Sequence, residues 1–194
     1  MVAGTPFVVV YDANVLFPAT IRDTLLRVAS AGLVQAKWTN EIHEEWIRNL
    51  LRKKPQLDAA KLERTRKLMD DSVRDCLVDG YEALIPSLDL PDPDDRHVLA
   101  AAIKSGAQTI VTLNEKDFPP AELRKFGIST ETPDAFVVGL IDIDPHAVAV
   151  ALRKQRDALT NPPFTPEEFL ENLARAGLAE TVKAIRPEFL RLGA

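Results

Sequence analysis

The stretch Phe7-Val8-Val9-Val10-Tyr11-Asp12-Ala13-Asn14 decides how the rest of the chain is read. Five consecutive β-branched or aromatic residues, with no polar position between them, suit a strand buried on both faces. Such strands belong to parallel sheets covered by helices on each side. The run then ends on a charge, Asp12. Ligands of open parallel sheets bind beyond the carboxyl ends of the strands, so Asp12 stands where chemistry is expected.

The following segments fit that frame. Thr20 to Ala31 reads as a helix closed by Gly32, and Val34 to Trp38 as a second strand. Thr39 or Asn40 caps a helix with Ile42, Trp46, Leu50 and Leu51 on its apolar side. Leu57 to Leu77 reads as one long amphipathic helix, with Leu62, Met69, Val73 and Cys76 on one face and Lys61, Arg64, Lys67 and Arg74 on the other. Ile85 to Leu88 is a short strand by composition. Asp92-Pro93-Asp94-Asp95 has the form of a helix start, and that helix runs to Gly106. Gln108 to Thr112 is the third clear strand, Pro120 to Phe126 a short helix and Ile128 to Thr130 a short strand; Thr132-Pro133-Asp134 starts another helix. Strands alternate with helices, which predicts an α/β architecture around a mostly parallel sheet. After residue 140 only helices are expected: one from Asp144-Pro145 to about Leu159, and one begun by the capping-box sequence Thr165-Pro166-Glu167-Glu168. The reading divides the chain into residues 1–140 and a helical extension, 141–194.

Composition sets outer limits. The chain has 194 residues, 46% hydrophobic and 27% charged, with 24 Lys and Arg against 29 Asp and Glu, for a net charge of −5. A packed core is affordable at this length and disorder is excluded. The acidic balance argues against holding nucleic acid by bulk positive charge. One cysteine, Cys76, makes no internal disulfide, and no Cys/His group has zinc spacing. The early apolar run is too short for a signal segment or a membrane span, so a reducing cytoplasm and no membrane contact are expected.

The acids carry the functional signal. Asp12, Asn114 and Asp117 follow strand ends, Glu45 sits on the helix leaving the second strand, and Asp95 opens the helix before the third. Carboxylates converging without nearby bases repel one another and call for a cation. Oxygen donors without Cys or His favour Mg²⁺ or Mn²⁺, and such a site suits displacement at phosphorus.

This order of acids resembles the PIN-domain nucleases, and is similar to the VapC-type toxins of bacterial toxin–antitoxin pairs. The resembling segments are Val9 to Leu16, Thr39 to Leu50 around Glu45, Asp92 to Ala102, and Ile110 to Phe118, together covering roughly residues 5–140. The last two are the most specific. The resemblance implies a PIN-like three-layer fold and a catalytic metal site built from Asp12, Glu45, Asp95 and Asp117, with Asn114, Thr112 and Asp92 in support. It also implies Mg²⁺ or Mn²⁺ as cofactor and cleavage of RNA, with a cognate antitoxin and a second copy of the chain as partners. Glu44 is the alternative to Glu45, and Asp92 or Asp94 to Asp95. Some family members carry an acid where this chain has Asn114.

Two other readings compete. A haloacid-dehalogenase-like phosphatase would use Asp12 as a covalent nucleophile, but it expects a second Asp where Asn14 stands and a late Gly-Asp pair that residues 118–194 lack. A non-catalytic module with the same fold has no need of all four acids. Against the net negative charge, residues 48–74 hold nine Lys and Arg and only four acids. Lys61, Arg64 and Lys67 are therefore the expected RNA-binding face, acting by a local and salt-sensitive contact.

Overall fold

The computed structural model describes residues 7–193; residues 1–6 and Ala194, the two ends of the expected division, lie outside them. Four strands form one sheet in the order β2-β1-β3-β4: β1 is Val8–Tyr11, β2 Gln35–Lys37, β3 Thr109–Val111 and β4 Ser129–Glu131. All pairings are parallel, with Val9 opposite Ala36, Val10 opposite Ile110, and Ile110 opposite Thr130. Every residue of β1 is buried, as its unbroken apolar run requires.

The helices are α1 (Ala13–Leu16), α2 (Ala19–Ser30), α3 (Asn40–Lys53), α4 (Ala59–Ser72), α5 (Arg96–Ser105), α6 (Pro120–Leu123), α7 (Pro133–Ile143), α8 (Pro145–Ala158), α9 (Pro166–Arg175) and α10 (Ala179–Gly193). Several begin on the caps their sequences announce. Thr39 accepts the Ile42 amide, Thr132 the Ala135 amide and Asp144 the Ala147 amide. Thr165 and Glu168 satisfy each other's backbone amides in a complete capping box. Gly106 closes α5 at φ 68°, a left-handed conformation that glycine adopts without strain.

Two expectations fail. The helix expected from Leu57 to Leu77 ends at Ser72. Val73 is already extended, Asp75 turns at φ 53°, and Cys76–Val78 runs beside Trp38. There Trp38 donates to the Cys76 carbonyl and Val78 to the Trp38 carbonyl, both at 2.9 Å. The backbone beyond β2 would otherwise be left unpaired, and this bonding outweighs the helical periodicity. The short strand expected at Ile85–Leu88 is instead part of a 3₁₀ turn, Glu82–Ser87. Pro86 has no amide to give a ladder.

α3, which carries Glu45, is fixed by a buried polar relay. The Trp46 indole only donates, and it donates to His43 Nδ1 at 2.9 Å, so the imidazole proton sits on Nε2 and points to Asp70 Oδ1 at 3.0 Å. Trp38 Nε1 donates to the same Asp70 oxygen at 2.8 Å. Asp70→Ala strips both donors of their acceptor and is expected to destabilise the fold by about 2–3 kcal/mol. Chemical denaturation measures it, and wild-type stability in that variant would reject the relay.

The C-terminal helices pack on the α/β body. Buried Gln155 of α8 accepts from Thr24 Oγ1 of α2 at 3.0 Å and donates to the Thr20 carbonyl at 3.2 Å. Asp134 of α7 accepts the Glu180 and Thr181 amides at the start of α10, at 3.0 and 2.7 Å. Phe169 and Phe189 stack between α9 and α10, 5.5 Å apart. Among the described residues no helix is long and apolar enough to cross a membrane.

Candidate active site

Asp12 leaves the end of β1 only 2% exposed. Its Oδ2 receives Thr112 Oγ1 at 2.7 Å and Asn14 Nδ2 at 2.5 Å. Thr112 follows β3, the strand beside β1, so parallel pairing brings together residues 100 positions apart. Asn14 ties the corner further by donating to Thr112 Oγ1 at 2.9 Å and accepting the Leu113 amide at 2.9 Å. The Asn114 amide also donates to Thr112 Oγ1, at 3.0 Å. These contacts lock the Asp12 carboxylate in one orientation.

Asp95 ends a 3₁₀ turn, Pro93–Asp95, that leads into α5, and Asp92 caps that turn by accepting the Asp94 amide at 2.9 Å. Asp117 lies on a further 3₁₀ turn, Glu115–Asp117, after β3, where the Asn114 side chain donates to its carboxylate. One ligand atom each from Asp92, Asp95 and Asp117 lie within 4.8 Å of one another. Burial pushes the Asp95 carboxyl up to about 7, and the charges of Asp12, Asp92, Asp117 and Glu45 push it the same way. Asp12 is pushed up to about 6, first by burial and then by Glu45, against the opposing Thr112 bond. Asp95 thus feels all three of the other acids expected at the site, together with Asp92.

Glu45 projects from α3 with its carboxylate 3.4 Å from His97 Nε2, and Glu41 lies 3.7 Å from His97 Nδ1. His97 is buried, and burial works against its charge. The Glu45 hydrogen bond and the charges of Glu41, Glu45 and Asp12 overcome that penalty and raise its pKa. Nδ1 makes no hydrogen bond among the described residues. Glu44 also lines the cleft but is exposed, and it is Glu45 whose charge reaches Asp12 and Asp95.

The cleft has a volume of about 720 Å³. Size does not single it out, since an apolar groove between α2, α4 and α8 has the same volume. Chemistry does. The acid donors are oxygen only, and burial together with the neighbouring carboxylates raises the Asp12 and Asp95 carboxyls. Asp92, Asp95 and Asp117, whose ligand atoms lie together, fit a hard divalent cation; of the acids expected from the sequence, Asp12 and Glu45 line the cleft beside them but fall outside that close group.

Lys61, Arg64 and Lys67 stand on the exposed side of α4, and none lines this cleft; Lys67 pairs with Asp71 at 3.2 Å. The basic residues that do line it are Arg48 and Arg52 of α3. Sequence reasoning counted both within the basic region 48–74 but placed the RNA-binding face at Lys61, Arg64 and Lys67, and it assigned no role to Asn14 or to His97. Asn14 stands two residues after Asp12 and His97 two after Asp95, so proximity to the acids was the available signal.

The chain belongs to the PIN-domain family, whose pattern matches residues 8–116. A second family, the VapC50 C-terminal domain, matches residues 133–187, from the start of α7 into α10. Over 94 residues the chain is 38% identical to the "Putative ribonuclease VapC50" of Mycobacterium tuberculosis, an alignment covering 48% of this chain and 55% of that relative. The match therefore spans about half the length of the relative. No solved structure matches the chain. PIN membership sets the phosphatase reading aside, in keeping with an amide, Asn14, where that chemistry needs a second acid.

Proposed function

We propose that this protein is a divalent-metal-dependent endoribonuclease of the cytoplasm, the toxin of a type II toxin–antitoxin pair held in check by a cognate antitoxin. The carrying observation is the convergence of Asp92, Asp95 and Asp117, with one ligand atom of each within 4.8 Å of the others, in a cleft that Asp12 and Glu45 also line. Similarity to a relative named as a ribonuclease supports the substrate class.

When bound at these acids, Mg²⁺ or Mn²⁺ supplies Lewis-acid activation of a phosphodiester and of the attacking water. The chain's own residues do the positioning. Thr112 and Asn14 hold Asp12 in one rotamer, and His97 holds Glu45. Asn114 steadies Asp117. The Asp12 and Asp95 carboxyls are raised in the metal-free protein, so they would give up protons near neutral pH on holding a cation.

The test is incubation of the protein with total RNA in Mg²⁺, in Mn²⁺ and in EDTA. Cleavage with either metal and none in EDTA is the expected outcome; intact RNA with folded, metal-loaded protein overturns the reading. The exposed bases of α4 act at longer range. Reversing Lys61, Arg64 and Lys67 to Glu is expected to weaken RNA binding several-fold at low salt, with metal binding unchanged. Titrations at two salt concentrations check this, and equal affinities at low salt would reject it.

A further inference from the structure

We propose that Arg48 and Arg52 form the phosphate-gripping wall of the cleft, holding the backbone of single-stranded RNA beside the acids; this rests on the nuclease reading above. Glu41, Glu45, Arg48 and Arg52 follow one another on α3 at spacings of four, three and four, which places them in one stripe. The stripe changes sign along its length, acids first and then bases. Arg48 and Arg52 line the same cleft as Asp12 and Asp95.

Both arginines are exposed, and neither forms an ion pair with a carboxylate among the described residues, although Glu44 stands one turn before Arg48. Arg52 bonds the Asn49 side chain at 3.2 Å, a neutral partner that aligns it without neutralising it. Three other bases nearby are occupied. Arg66 pairs with Glu63 at 3.6 Å and Lys67 with Asp71, while Arg22 covers the Trp46 ring at 4.9 Å. Two uncompensated guanidinium groups in a cleft dominated by acids have no structural ion-pair role there. They suit an anion that enters the cleft, and a guanidinium matches phosphate oxygens two at a time.

The spacing narrows the ligand to a chain of phosphates. Four residues of helix separate Arg48 from Arg52 by about 6 Å, and Arg48 stands one turn beyond Glu45. A strand whose scissile phosphate lies at the acids therefore passes its next phosphates along this stripe. A polycarboxylate would meet the same arginines, but it would offer the acids no phosphodiester.

The experiment uses the full chain and a short fluorescent single-stranded oligoribonucleotide, in Ca²⁺ so that binding is separated from cleavage. Wild type is compared with R48A/R52A over a range of salt, with Mn²⁺ binding followed by calorimetry. The double variant is expected to bind RNA at least tenfold more weakly at low salt. Its slope of log affinity against log salt should fall by about 1.4, the loss of two phosphate contacts on a single strand at about 0.7 each. Mn²⁺ binding should be unchanged. Equal RNA affinity and slope in wild type and variant overturn the assignment while leaving the nuclease reading intact. Wild type that neither binds nor cleaves RNA overturns that reading and this inference together. A polyglutamate peptide that binds as tightly, with the same dependence on the pair, overturns RNA as the ligand.

Discussion

Asp95→Asn is expected to reduce metal-dependent RNA cleavage by at least about 10³-fold, or roughly 4 kcal/mol of transition-state stabilisation. The substitution keeps the size of the side chain and removes the charge at the centre of the cluster, where Asp12, Asp92, Asp117 and Glu45 all act. Asp12→Asn should behave alike. It is a better probe than Asp12→Ala, because an amide oxygen still accepts from Thr112 whereas alanine leaves that hydroxyl proton without its acceptor. Loss of activity through misfolding has the opposite signature to loss of a metal ligand. Removing one of several repelling carboxylates should raise the melting temperature of the metal-free protein. Cleavage assays with matched melting curves decide the matter. Activity that survives either substitution in a folded protein would sink the proposed site.

The second large effect is on stability. Asp12 and Asp95 have folded-state pKa values of about 6 and about 7, above the ordinary aspartate value near 3.9. Between roughly pH 4 and 7 the folded state then holds more protons than the unfolded chain, so stability falls as pH rises through that window. His97 acts in the same direction. Its raised pKa contributes stability that is complete at low pH and lost as the imidazolium deprotonates. The metal-free protein should therefore melt lower at pH 8 than at pH 5. A divalent cation binds the ionised acids, so Mn²⁺ should restore more stability at pH 8 than at pH 5. At about a hundredfold excess over its dissociation constant, the gain of about 2.7 kcal/mol corresponds to roughly 5–10 °C for a chain of this size. Thermal melts at the two pH values, with EDTA and with Mn²⁺, measure it. A metal-free melting point that rises with pH would contradict the assignment of these shifts.

Local signals were the legible ones. Thr39, Thr132, Asp144 and Thr165 cap the helices their sequences announce, because capping involves only residues two or three positions apart. Helix length was less legible. Val73 and Cys76 are buried, as the amphipathic pattern from Leu62 requires, but they are buried from an extended strap beside Trp38. Burial at helical spacing cannot tell the two apart when an unpaired strand edge competes for the backbone. Pro86 similarly carried a refusal of strand structure that its apolar neighbours masked.

The sequence by itself determined the alternation of strands and helices, the caps, and an acid or amide after β1 and β3, since each depends on neighbours along the chain. The family resemblance, carried by the same segments, extended this to a metal site. Tertiary structure decided what distant residues do to one another. The strand order β2-β1-β3-β4 sets Thr112 against Asp12, and the fold brings His97 of α5 against Glu45 of α3. It also decided where positive charge meets the acids: at Arg48 and Arg52, while none of the more numerous bases of α4 lines the cleft. Hydrogen bonds and carboxylate repulsion act over a few ångströms, and only the register of the sheet and the helices it carries brings groups a hundred residues apart within that range.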